Sequence, residues 1–149
     1  MLSPSLEKYL IEVHMSIQNG EEVTCSEIAK KLNVTTTKTI QGIQRLHYQK
    51  YLHYTTYQPI EMTERGEQLA KYIIPKYMLI DRFLDMLQLE DMQADRDAMA
   101  QLFSDDMLEH IEQFVLFVEQ YPEIINRYQL YLNNRQSSRI LATKPDEDR

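Results

Sequence analysis

Apolar residues recur at helical spacing along most of the chain. Leu6, Tyr9, Leu10, Val13 and Ile17 form an i, i+3, i+4, i+7 stripe, which predicts an amphipathic first helix with one buried face. It starts after Ser3-Pro4, because proline suits a first helical turn, and ends near Asn19-Gly20. Thr24 followed by Glu27 has capping-box spacing, so a short second helix begins there with Cys25, Ile28, Ala29 and Leu32 inward. Asn33-Val34 makes a turn. A third helix opens at Thr35 or Thr36, burying Ile40, Ile43 and Leu46 and leaving Thr37, Lys38, Gln41, Gln44 and Arg45 on its other side.

The pattern then changes. Tyr51-Leu52-His53-Tyr54-Thr55-Thr56-Tyr57 is aromatic and β-branched, a strand preference, and after Gln58-Pro59 a second short strand covers residues 60–62. Thr63 caps a helix with Glu64 and Glu67 in its first turn, running to about Leu87 with a break expected at Pro75. Further helices are expected over residues 93–103, after Ser104, and after Pro122, the last carrying Ile124, Ile125, Tyr128 and Leu132. The tail from residue 135 is polar and expected to be disordered. The predicted fold is mainly α: an N-terminal winged helix-turn-helix, made of three helices plus a β-hairpin wing, followed by an α-helical segment.

Charge sharpens this picture. The net charge is −7, but residues 1–76 hold 9 Lys and Arg against 8 Asp and Glu, whereas residues 77–149 hold 7 against 15. Within residues 24–57, Lys30, Lys31, Lys38, Arg45 and Lys50 face Glu27 alone. Such a local basic patch attracts phosphates despite an acidic total. In a winged helix-turn-helix the second helix of the pair lies in the major groove and the wing touches the backbone. The expected partner is therefore double-stranded DNA, with Thr36, Thr37, Lys38 and Gln41 on base edges. Phosphate contacts are expected from Lys31, Thr35, Arg45, Lys50, Tyr54 and Tyr57. A solvated helix face remains the plain alternative for these residues.

Other chemistry is sparse. There is no Gly-rich phosphate loop, nucleophile elbow or His-Glu-x-x-His, so no enzyme is expected. His14, His47, His53 and His110 include no i, i+4 pair. The single Cys25 excludes an internal disulfide, and the chain lacks a secretory pattern and any bilayer-length apolar run, so a cytoplasmic protein without membrane contact is expected. Cys25 itself is either a core residue or, in a helix first turn that lowers thiol pKa, a redox sensor. Phe114-Val115-x-Phe117-Val118 is apolar nearly all round a helix, which suits a homodimer interface.

The opening Ser3-Pro4-Ser5-Leu6-Glu7-x-Tyr9-Leu10, the Ile28-Ala29-x-x-Leu32-x-Val34 core, Gln44-Arg45-Leu46, Tyr51-Leu52 and Met62-Thr63-x-x-Gly66 resemble the manganese-transport-regulator branch of the diphtheria-toxin-repressor family. The likeness runs through residues 1 to about 90 and more loosely through Phe103-Ser104-Asp105-Asp106-Met107-Leu108-Glu109 to Tyr121-Pro122. It implies a dimeric transcriptional repressor with a DNA-binding domain at 1–72, a helical dimerisation domain at 73–134 and a tail at 135–149. It also implies a Mn²⁺ site of carboxylates and His. Mapped onto this chain, that site falls on Lys8, Ile11, Tyr77, Asp97, Ala100 and Gln101, of which Asp97 alone keeps a ligand. A shifted register offers Asp106-x-x-Glu109-His110. The expectation is thus a metal-independent regulator without a cofactor. Lys8 would place an ammonium where relatives hold a dication, facing Asp97 or another acid. A dimeric interaction module that has lost DNA binding, a regulator with a different effector, and one still answering to Mn²⁺ are the alternatives.

Overall fold

Hydroxyl caps set the helix starts. Ser3, Thr24, Thr35, Thr63 and Ser104 each accept a hydrogen bond from the backbone N–H three residues on. Each satisfies a donor that the helix itself cannot and contributes about 1 kcal/mol. The structure, a computed structural model, describes residues 2–135 and 140–146. Its elements in order are α1 (Pro4–Gln18), α2 (Cys25–Leu32), α3 (Thr36–Tyr48), β1 (Leu52–His53), β2 (Glu61–Met62), α4 (Glu64–Met86), α5 (Gln93–Leu102), α6 (Asp105–Gln120) and α7 (Pro122–Asn134). Strands β1 and β2 pair antiparallel, Leu52 opposite Met62 and His53 opposite Glu61. The Ile60 N–H donates to the Val23 carbonyl at 2.8 Å, so the segment before α2 lies along the entry to β2.

Three expectations change. The first strand covers only Leu52 and His53 of the seven residues predicted. The Tyr54 N–H turns back to His47 Nδ1 at 3.1 Å. Beyond it the chain turns, with Gln58 N–H on the Thr55 carbonyl and Tyr57 at φ +67°, outside the extended region of a regular strand. Pro75 does not break α4, which is continuous from Glu64 to Met86. Both Pro75 and Lys71, whose carbonyl loses its helical donor, are exposed, so water can serve that carbonyl. Residue 72 lies within this helix. Ile40, expected in the core, is half-buried. In the tail, residues 140–146 carry no helix or strand, and the expectation for residues 136–139 and 147–149 lies outside the described residues.

One apolar core joins the two halves. Leu10, Val13, Ile28, Ile43, Leu46 and Leu52 fill the first half; Ala70, Ile73, Tyr77, Ile80, Leu84, Ile111 and Val115 continue it along α4 and α6. Each fully buried aliphatic side chain contributes about 1.5–3 kcal/mol. Helix α1 is the shared element, packing on α3 at one side and on α4 and α5 at the other. Two glycines permit close approaches. A side chain at Gly42 would collide with the Tyr9 ring of α1, and one at Gly66 with the Tyr51 carbonyl beside the hairpin.

Candidate functional site

The face of α3 is built by what lies behind it. Thr39, Gly42, Ile43 and Leu46 are buried, which turns Thr36, Thr37, Lys38, Gln41 and Arg45 outward. Asn33 closes α2 in the left-handed conformation at φ 54°, and the Val34 N–H returns to the Ala29 carbonyl. This short turn sets α3 against α2. Thr35 accepts from the Lys38 N–H as the cap, keeping its own hydroxyl proton for another acceptor. The Thr39 hydroxyl, which the sequence pattern did not single out, donates to the Thr35 carbonyl at 3.0 Å and secures the same turn. The first turn of α3 holds no acidic residue, and its last turn carries Arg45 and His47.

The flanking residues divide. Thr35, Thr36, Thr37, Lys38, Gln41, Arg45, Lys50 and Tyr57 are exposed. Tyr57 is 100% exposed at the hairpin tip despite its positive φ. A bulky residue in that conformation, with no burial to offset it, is a strained position. Two expected phosphate contacts are committed elsewhere. Lys31 lies 2.5 Å from Glu21 and donates to the Ser16 hydroxyl at 2.9 Å. Its pKa is raised chiefly by the Glu21 hydrogen bond. Tyr54 is half-buried, and its hydroxyl and the Cys25 thiol form a hydrogen bond. Burial pushes the Cys25 thiol up, opposed by that bond, so the helix-start argument for a reactive thiolate loses to desolvation.

A second cluster lies where α1 meets α4 and α5. Lys8 Nζ is 2.7 Å from Asp97 Oδ2, with side chains 18% and 25% exposed. The Tyr77 hydroxyl donates to Glu7 Oε2 at 2.5 Å, both residues being buried. The Arg96 guanidinium stands 5.0 Å from the centre of the Tyr77 ring, and its Nε is 2.9 Å from Asp81 Oδ1. Burial raises the Tyr77 pKa well above the usual tyrosine range, helped by the Glu7 hydrogen bond and the charges of Glu7 and Asp97, with Arg96 pulling the other way. Asp97 Oδ1 is buried without a hydrogen-bond partner. Glu7 and Arg96 were not legible as site residues; the one hint was an acid three positions before the buried Leu10.

This donor set does not suit a hard dication. Lys8 puts an ammonium on the single remaining ligand, Asp97. Tyr77 offers a neutral hydroxyl already given to Glu7. Ile11 packs against the core, Ala100 is buried and Gln101 is exposed. In the shifted register, His110 Nδ1 lies 2.8 Å from the Asp106 carbonyl on an exposed face of α6. No group of three His, Cys, Asp or Glu among the described residues could hold a metal ion.

The remaining outward feature is apolar. On α6, Leu108, Ile111, Val115 and Val118 face inward. Met107, Phe114, Phe117 and Tyr121 are exposed. Helical spacing puts Met107, Phe114 and Phe117 on a stripe beside the inward face, turned from it by about a quarter of the circumference, with Tyr121 just past the helix end. No described helix is long and apolar enough to cross a membrane.

Comparison with known proteins agrees with this architecture. The family model described as "Iron dependent repressor, metal binding and dimerisation domain" matches residues 63–128. The HTH-type transcriptional regulator MntR of Lysinibacillus sphaericus is 26% identical over 129 residues, covering 85% of this chain and 93% of the relative. An uncharacterised HTH-type transcriptional regulator of Methanocaldococcus jannaschii is 30% identical over 126 residues, covering 82% and 98%. Among solved structures, the manganese regulator SloR superposes with a TM-score of 0.66 at 20% identity, over 78% of this chain and 55% of that one. The apo form of the manganese-activated repressor ScaR gives 0.53 at 21% identity, over 72% and 52%. The chain thus spans about half the length of these two solved chains. The chain belongs to the MntR/DtxR family of helix-turn-helix transcriptional regulators.

Proposed function

We propose that this chain binds duplex DNA in the cytoplasm as a homodimer, each copy laying the outward face of α3 in a major groove, and represses transcription without a metal cofactor. The observation that carries the reading is the exposed, acid-free first turns of α3, with Lys38 and Gln41 outward and Tyr57 raised on the adjacent hairpin. Thr36, Thr37, Lys38 and Gln41 suit base edges; Thr35, Arg45, Lys50 and Tyr57 suit phosphates. Lys31 joins them only by leaving Glu21. Tyr54 joins them only by leaving its place beside Cys25. The exposed apolar stripe Met107, Phe114, Phe117 and Tyr121, only partly covered by the edge contact of Phe114 with Phe83, supports pairing through α6. Two heads related by a two-fold axis would read half-sites a turn or more of the duplex apart. Metal independence is supported by the Lys8 ammonium on Asp97.

The test is retention of genomic duplex fragments over a salt series, with and without EDTA or Mn²⁺. Binding should weaken linearly in log–log form as salt rises, because Lys and Arg contacts displace counterions. The Lys38→Ala, Arg45→Ala double variant should lose affinity and flatten that slope by about 2. An absence of salt-dependent binding, or a double variant as tight as the parent, overturns the reading and leaves a protein-interaction module. A strong response to Mn²⁺ or EDTA overturns its metal-independent part.

A further inference from the structure

Consecutive residues of α1 reach two different helices of the second half. Glu7 takes the Tyr77 hydroxyl of α4 at 2.5 Å, and Lys8 meets Asp97 of α5 at 2.7 Å. Positions one residue apart on a helix diverge by about 100°, so the two links grip α1 from different directions and resist its rotation about its own axis. Arg96, next to Asp97, lies over the Tyr77 ring and pairs with Asp81, which joins the two links into one network across α4 and α5. The two links are little exposed, with Tyr77 at 2%, Glu7 at 9% and the Lys8 and Asp97 side chains at 18% and 25%, while the supporting Arg96 and Asp81 are more open at 29% and 42%. Charges so placed are screened far less than surface ones. Asp97 Oδ1 has no other partner, so without Lys8 the carboxylate would sit largely uncompensated.

Helix α1 also packs on α3. Gly42 lets the Tyr9 ring lie against α3 closely enough that a side chain there would collide. Orienting α1 therefore orients α3. We propose that Lys8 and Asp97, supported by Glu7, Tyr77 and Arg96, are positioning residues: a built-in ammonium–carboxylate latch that holds the α3 face at a fixed angle to the α5–α6 half, making the two-headed, DNA-competent arrangement permanent. This rests on the reading of α3 as the DNA-contacting helix.

The test uses the full chain and two duplexes: a genomic fragment selected by the parent protein and a random-sequence duplex of equal length. Lys8→Met should weaken binding to the selected fragment by about tenfold, the scale of a typical coupling between sites, while binding to the random duplex, which needs only one basic face, stays unchanged. Lys8→Arg should keep parental binding. The exchange variant, Lys8→Asp with Asp97→Lys, should recover most of what either single change loses, and a pair with no positioning role would not produce that recovery. Should Lys8→Met fail to fold, as judged by circular dichroism, the Lys8→Arg and exchange variants still decide. Parental affinity in Lys8→Met, or no recovery in the exchange variant, overturns the latch. A parent protein that shows no salt-dependent binding to either duplex instead overturns the reading beneath it.

Discussion

Lys8 Nζ and Asp97 Oδ2 stand 2.7 Å apart, an ion pair between the first helix and the fifth. It sits beside a second link of the same kind, the Tyr77 hydroxyl on Glu7. Together they place a cation, two carboxylates and a phenol at the junction through which the α3 face is held. The pair is neither fully buried nor on the open surface, which is where geometry decides an ion pair's worth. The short separation favours it, and the unpartnered Asp97 Oδ1 is its cost.

At the hairpin tip, the fully exposed Tyr57 with φ +67° sets stability against binding. Glycine adopts that backbone without penalty. Tyr57→Gly should therefore leave the unfolding midpoint in urea unchanged or raise it by up to about 1 kcal/mol equivalent, while DNA retention falls. A variant that binds DNA as the parent does would show that the ring touches nothing on the duplex.

Alkaline pH should loosen the α1–α4 junction. The Tyr77 pKa is higher in the folded chain than the ordinary tyrosine value of about 10. The folded state thus holds that proton more tightly. The resulting stability is complete below about pH 10 and is lost as pH rises above it toward the folded value, because a phenolate there would be buried and would face the Glu7 carboxylate. Tyr77→Phe should be less stable than the parent at pH 7 by about 1–3 kcal/mol, since Glu7 loses its donor. The gap should narrow above pH 10, which urea titrations at a series of pH values will read.

Phe117 is 51% exposed on the outer stripe of α6. Phe117→Glu should preserve the helical circular dichroism signal, because the inward face is untouched, yet shift the mass in light scattering from dimer to monomer and weaken DNA binding. A monomeric parent protein would remove the two-headed arrangement altogether.

The Cys25 thiol, buried and raised in pKa by that burial, should react slowly with a disulfide reagent at pH 7.5 and quickly once urea unfolds the chain. Cys25→Ala should bind DNA as the parent does, in peroxide as in reductant. Rapid labelling of the native chain would restore the redox reading.

Local rules carried the sequence a long way. Caps at Ser3, Thr24, Thr35, Thr63 and Ser104 and the apolar periodicity of each helix involve residues at most a few positions apart, so they can be read directly from the order of residues. The outward set of α3 follows from the same periodicity, since burying Ile43 and Leu46 turns Lys38 and Gln41 to the other side. Even the four half-buried residues of α7, Ile124, Ile125, Tyr128 and Leu132, follow its pattern.

Other features depended on where distant segments met. Tyr77 and Glu7 lie 70 positions apart, and nothing in either neighbourhood signals the other. The resemblance marked Lys8 as an altered position and Asp97 as the kept ligand its ammonium would face, with another acid left open, but only the packing of α1 on α5 brought these two charges to contact distance. Tertiary surroundings likewise drew Lys31 to Glu21, gave Tyr54 to Cys25 and shortened the first strand to two residues. Pro75 passed without a break because its side of α4 faces solvent. Periodicity fixes which side of a helix is apolar, whereas polar pairing depends on the angles at which helices cross, and those angles are set by the whole core.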